Sequence, residues 1–147
     1  MKKREKIVKV LLAQFPLETH SRGIITVAGM LRDAGMEVIL MGNALPEQIV
    51  ETALQETVDV IGISTYCGGE LALGEKVLKT AANRGIKDHT TFLIGGIFPP
   101  KDIPKLKKIG FDGVFLSATK DEIVSCIQNS VAVKSKELWN PIQAVSN

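Results

Sequence analysis

The sequence predicts a doubly wound α/β domain, and three observations predict it. Five short apolar runs rich in Val, Ile, Leu or Phe punctuate the 147 residues. Most of them lack strict apolar–polar alternation, which is the pattern of parallel strands covered on both faces. Between them, apolar residues recur at helical spacing, so strand and helix alternate five times.

The elements follow in order. The first strand is "IVKVLLA" from Ile7. The helix after it gathers Ile24, Val27, Ala28, Leu31 and Ala34 on one face and stops at Gly35. The second strand is "MEVILMG" from Met36, and the next helix opens near Pro46, a favoured first-turn residue, with Ile49, Val50, Ala53 and Leu54 inward. The third strand, "VDVIGIS" from Val58, precedes a helix carrying Leu73, Val77, Leu78 and Ala81 that ends at Gly85. The fourth, "TTFLIGG" from Thr90, precedes a short helix from Asp102 to Ile109, followed by Gly110. The fifth is "DGVFLS" from Asp112. Its helix has Thr119 as N-cap, Glu122 as capping-box partner, and Ile123, Val124 and Ile127 as its buried face. Five strands predict the flavodoxin-like, Rossmann-type order, a five-stranded parallel sheet with helices on both faces.

One domain, residues 7–131, is expected between a basic tail, 1–6, and a C-terminal tail, 132–147. Apolar periodicity fades in the latter, which carries the single tryptophan, Trp139. At 45% hydrophobic and 23% charged, the composition supports an ordinary core. Much of the net charge of +2 sits in "KKREK", which reads as a solvated end rather than a nucleic-acid or membrane patch. Aromatic residues, at 5%, are too few for base-stacking platforms. No apolar run is long enough to span a bilayer, and "IVKVLLAQF" holds a lysine and no cleavage site, so it reads as a strand and not a signal peptide. Cys67 and Cys126 form neither a close-spaced metal pair nor a disulfide framework. A cytoplasmic setting is expected.

In such folds ligands bind outside the carboxyl ends of the strands. The loops there are "QFPLETHSRG", "GNALPE", "STYCGGE", "GGIFPP" and "SATK". Of the two histidines, His20 falls at this edge and His89 at the other. Glu18 is placed to fix the tautomer of His20 and leave its second nitrogen free for a metal. Gly23 permits close approach of a ligand. A single histidine cannot hold a bare zinc ion, which needs three or four ligands, so a metal at His20 would arrive already held by a macrocycle. Ser64 with Gly68 and Gly69, and Gly95 with Gly96, put small residues at two strand ends, enough to leave a slot between sheet and helix. Neither pair forms a dinucleotide fingerprint, and no Walker-type phosphate loop occurs.

These motifs resemble the cobalamin-binding domain of the adenosylcobalamin-dependent mutases, the small-subunit or C-terminal domain of methylmalonyl-CoA mutase and its relatives. The family signature is Asp-x-His-x-x-Gly, then Ser-x-Leu, then Gly-Gly. Here it reads Glu18-Thr19-His20-Ser21-Arg22-Gly23, then Ser64-Thr65-Tyr66, then Gly95-Gly96. "LRDAGMEVI", "PEQIVETALQETVDVIGIS" and "DIPKLKKIGFDGVF" are similar to the connecting text, so the resemblance covers about Val8 to Ile127. It implies His20 as the lower axial ligand to cobalt in place of the cofactor's own benzimidazole, with Glu18 bonding its far nitrogen. It implies a cofactor site that also takes in Thr19, Ser21, Arg22, Gly23, Ser64, Tyr66, Gly68, Gly95, Gly96 and Thr119. It implies adenosylcobalamin as cofactor, and a large partner subunit whose barrel domain supplies the acyl-CoA site. It implies no isomerase activity from this chain alone.

The departures are Glu18 for aspartate, Tyr66 for leucine, and Leu116-Ser117-Ala118 before the retained Thr119, where the family has Gly-Pro-Gly. A corrinoid carrier for methyl transfer or a cobalamin sensor or storage module is the alternative within this resemblance. A carrier would be expected to place a helical bundle before this domain, where only six residues precede the first strand. A response-regulator reading would want acidic residues at the end of the first strand and an aspartate ending the third, where Ala13 and Ser64 stand.

Overall fold

In the computed structural model of the chain, the residues described are 6–66 and 68–138, except for the side chains of 135–138. Most of the basic tail, Cys67 and Trp139 lie outside them. Five parallel strands, β1 (Lys9–Gln14), β2 (Glu37–Asn43), β3 (Val60–Thr65), β4 (Thr91–Gly96) and β5 (Gly113–Phe115), alternate with α1 (Arg22–Asp33), α2 (Pro46–Glu56), α3 (Glu70–Asn83), α4 (Asp102–Ile109) and α5 (Lys120–Leu138). The sheet order is β2-β1-β3-β4-β5, the flavodoxin-like arrangement.

Apolar residues on the two sheet faces make two cores. Leu11, Ile61, Phe92 and Ile94 pack beneath α2, α3 and α4, with Ile49, Val77 and Leu106 among their partners. Val10, Leu12, Val60 and Leu93 pack beneath α1 and α5, against Ile24, Leu31, Ile123 and Ile127. Burial of β1 and β3 on both sides explains why their sequences do not alternate.

The helix starts follow the chemistry in the sequence. Pro46 opens α2, and the Gln48 side chain turns back to accept the Leu45 N–H at 2.8 Å. The Thr119 hydroxyl accepts the Glu122 N–H at 3.2 Å and caps α5.

Two elements differ from the sequence reading. β5 is three residues long, Gly113–Phe115, so Leu116 and Ser117 leave the sheet instead of extending it. α5 runs on to Leu138, past the point near Val131 where apolar spacing fades. Polar contacts hold this stretch where apolar ones thin out. The Lys134 ammonium reaches Asp112 Oδ2 at 2.8 Å and donates to the Thr90 carbonyl, and Ser130 Oγ lies 2.8 Å from Thr91 Oγ1.

One irregularity shapes the ligand edge. The β1–β2 register shifts after Leu12, so that Ala13 faces Gly42 and Gln14 faces Asn43. Gly42, where the shifted register resumes, has φ +79°, a backbone that glycine adopts without strain. The shift sets the amide side chains of Gln14 and Asn43 side by side under the loop that follows β1.

Candidate functional site

That loop, between β1 and α1, is built around one carboxylate. Phe15-Pro16-Leu17-Glu18 forms a turn closed by Glu18 N–H to the Phe15 carbonyl at 3.2 Å, with Leu17 at φ +69°. Proline second and a positive φ third is the type II pattern. It costs about 1–2 kcal/mol when the third residue is not glycine. Asn43 Nδ2 donates to the Phe15 carbonyl at 3.1 Å and to the Glu18 carbonyl at 2.6 Å, and Gln14 Nε2 donates to the His20 carbonyl at 2.6 Å. These side chains offset the cost of the turn by fixing its carbonyls.

The Glu18 side chain points inward and is 1% exposed. Its Oε1 accepts the His20 backbone N–H at 3.1 Å and lies 2.8 Å from His20 Nδ1; its Oε2 accepts the Tyr66 backbone N–H at 2.5 Å. An imidazole whose Nδ1 donates to this carboxylate presents its Nε2 lone pair on the far side of the ring. The imidazole itself is 64% exposed. Although glutamate is one methylene longer than aspartate, its carboxylate reaches the ring.

Beside His20 a cleft of about 770 Å³ opens between the sheet and helices α1 and α5. That volume falls within the range of sites for organic cofactors. Its floor is made where side chains are missing: Gly62 on β3 and Gly95 on β4. A Cβ on Gly62 would strike the Leu12 side chain, and one on Gly95 would meet the Phe115 carbonyl at 3.2 Å. Gly96, at φ +145°, lies against the Thr65 carbonyl, where no side chain has room. The walls are apolar, from Val27, Met30 and Phe115, with Ser64, Ser117 and Arg22 as polar points. Tyr66 stands at the mouth, its ring centroid 5.5 Å from that of His20.

Of the residues singled out from sequence, His20, Ser21, Arg22, Gly23, Ser64, Tyr66, Gly95 and Gly96 line this one cleft. Glu18, Thr19, Gly68 and Thr119 do not line it. Glu18 instead reaches the ring of His20 from behind, at 2.8 Å from Nδ1. The Gly68 carbonyl closes the β3–α3 turn by accepting from Thr65 Oγ1 at 3.1 Å, and the Thr119 hydroxyl is committed to the α5 cap. Sequence reasoning missed Gln14, Asn43 and Gly62. Two amides at adjacent strand ends and a glycine inside a strand otherwise rich in Val and Ile were the available signals.

At the same edge, Glu70 has a raised pKa. Glu70, at the start of α3, is buried, and burial pushes its pKa up. The neighbouring Asp102, at the start of α4, pushes in the same direction through a hydrogen bond and its charge, against the backbone hydrogen bond at the helix start.

Among the described residues, no group of three or more His, Cys, Asp and Glu side chains is arranged to hold a metal ion, and no helix is long and apolar enough to cross a membrane.

The B12 binding domain family model matches residues 8–124. The chain is 40% identical over 129 residues to the 2-hydroxyisobutanoyl-CoA mutase small subunit of Aquincola tertiaricarbonis, a match that spans 86% of this chain and 94% of that one. It is 37% identical over 123 residues to the pivalyl-CoA mutase small subunit of Xanthobacter autotrophicus, spanning 82% and 81%. Its fold matches a cobalamin-binding protein from Desulfitobacterium hafniense DCB-2 with a TM-score of 0.74 over 86% of this chain and 60% of that one; at 20% identity this speaks for architecture alone. The chain belongs to the B12 binding domain family and, within it, to the small subunits of acyl-CoA mutases.

Proposed function

We propose that this chain binds adenosylcobalamin base-off, with His20 Nε2 as the lower axial ligand to cobalt and the displaced nucleotide tail in the cleft. The observation that carries the reading is the tautomer lock: Glu18 takes Nδ1 of an exposed imidazole at the rim of a cleft of about 770 Å³. The donor set fits such a cofactor. One imidazole cannot retain a free metal ion, but it suits a metal whose other positions a corrin already fills. The glycine floor fits as well, because Gly62 and Gly95 line the cleft without a side chain to fill it.

Each residue then has a part. Glu18 orients His20 and raises its basicity. Thr19, Ser21, Arg22, Gly23 and Gly68 border the approach of the corrin. Ser64, Tyr66, Gly95 and Gly96 enclose the tail, and Thr119 fixes the start of α5 so that Ser117 and Ala118 face it.

When bound, adenosylcobalamin supplies the radical chemistry that a carbon-skeleton rearrangement of an acyl-CoA requires. The acyl-CoA site would belong to a large partner subunit, for which a barrel domain is the fitting architecture. The two mutase small subunits that this chain resembles support that division of labour. The cytoplasm is the fitting compartment. The test is to add hydroxocobalamin, remove the excess and record the spectrum. A base-off spectrum that stays with the protein is expected, and a colourless protein would contradict the proposal. Isomerase activity should appear only on addition of a large subunit.

A further inference from the structure

Tyr66 occupies a position that the tautomer lock and the cleft do not by themselves explain. Its ring leans on His20 at 5.5 Å between centroids, tilted by 39°, and its hydroxyl lies against Gly23 so closely that a methyl there would collide with it. His20 and Gly23 belong to the β1–α1 connection and the first turn of α1, whereas Tyr66 follows β3. One ring therefore bridges the two lips of the cleft.

Its backbone is held from two sides. Glu18 Oε2 accepts the Tyr66 N–H, and the preceding residue, Thr65, ties its hydroxyl to the Gly68 carbonyl. The side chain is only half-buried. The Tyr66 backbone is thus anchored while its side chain is partly open to solvent.

We propose that Tyr66 is the gate on the nucleotide tail: its ring must swing off Gly23 before a tail enters the cleft, and it closes over the tail afterwards. The proposal rests on the cobalamin reading. It separates two steps of loading, ligation of cobalt by His20, which the ring does not obstruct, and passage of the tail, which it does. It makes Tyr66 selective between corrinoids that carry a nucleotide tail and those that lack one.

The test compares uptake rates of hydroxocobalamin and of diaquacobinamide, which has no nucleotide tail, by stopped-flow absorbance on the full chain. Wild type, Tyr66→Phe and Tyr66→Leu are the proteins, with thermal melts to confirm folding. Tyr66→Leu is expected to speed hydroxocobalamin uptake about tenfold, the equivalent of about 1.4 kcal/mol of barrier, and to leave diaquacobinamide within about twofold. Tyr66→Phe keeps the ring but removes the hydroxyl that lies against Gly23, so its hydroxocobalamin uptake should fall between those of wild type and Tyr66→Leu. Should leucine at this position not fold, methionine, which repacks readily, carries the same comparison.

Equal acceleration of both corrinoids, or of neither, would overturn the gate while leaving cobalamin binding intact. Failure of wild type to take up either corrinoid would defeat the cobalamin reading and the gate with it.

Discussion

Glu18 holds Nδ1 of His20 at 2.8 Å from a side chain that is 1% exposed, while the imidazole it holds is 64% exposed. The pairing joins a buried acceptor to a ring that remains open to solvent. Because the other carboxylate oxygen holds Tyr66, the same group also ties the β1–α1 loop to the β3–α3 loop. Glu18→Ala should therefore act twice. Leaving backbone donors without a partner should cost about 1–3 kcal/mol of stability, read in a denaturant titration. Loss of the ring's orienting partner should weaken hydroxocobalamin binding about 10- to 100-fold. Unchanged affinity in a folded Glu18→Ala protein would show that the lock does not serve ligation.

Val27, on α1, faces the cleft without closing it. Val27→Trp places a large side chain where the tail is proposed to lie. Hydroxocobalamin binding should fall at least about tenfold, roughly 1.4 kcal/mol, whereas diaquacobinamide should bind nearly as before. Isothermal titration with both corrinoids measures this, and equal loss of both would argue against a tail in the cleft.

Gly96 combines φ +145° with a close approach to the Thr65 carbonyl. Gly96→Ala must shift the end of β4 or of β3, at a cost of about 1–3 kcal/mol. The chemical-denaturation midpoint should fall accordingly. No change in midpoint would mean that the strand ends are freer than their packing indicates.

Glu70 gives the chain a pH signature. Its folded-state pKa is raised, first by burial and then by Asp102, so the native state holds a proton that the unfolded chain releases. The sign follows from linkage: this contribution is fully present below the ordinary carboxylate range and is lost as pH rises through the raised value. Glu70→Gln cannot titrate, so its stability curve should be flatter than wild type across that window. Parallel curves for the two proteins would remove the assignment.

Much of this was legible in the sequence because the signals were local. Apolar runs, helix-stop glycines and the Thr119 cap each act over a few residues, and the order of alternation then fixed the sheet. His20 was separable from His89 by topology alone. What was not legible depended on residues far apart in the chain. The register shift at Gly42 brings Asn43 under the Phe15–Glu18 turn, a contact across 25 residues between Asn43 and Glu18, and no local pattern announces it. The contact of Tyr66 with Gly23 likewise exists only once β3 lies beside β1. The continuation of α5 past Val131 was hidden because polar tethers from Lys134 and Ser130 replace the apolar stripe.

The most direct test of His20 ligation is electron paramagnetic resonance of the cob(II)alamin-loaded protein, prepared with natural and with ¹⁵N-labelled histidine. If imidazole is the lower ligand, the nitrogen triplet on the cobalt lines becomes a doublet on labelling. A triplet that ignores the label would mean that the benzimidazole stays on cobalt and that His20 serves some other purpose.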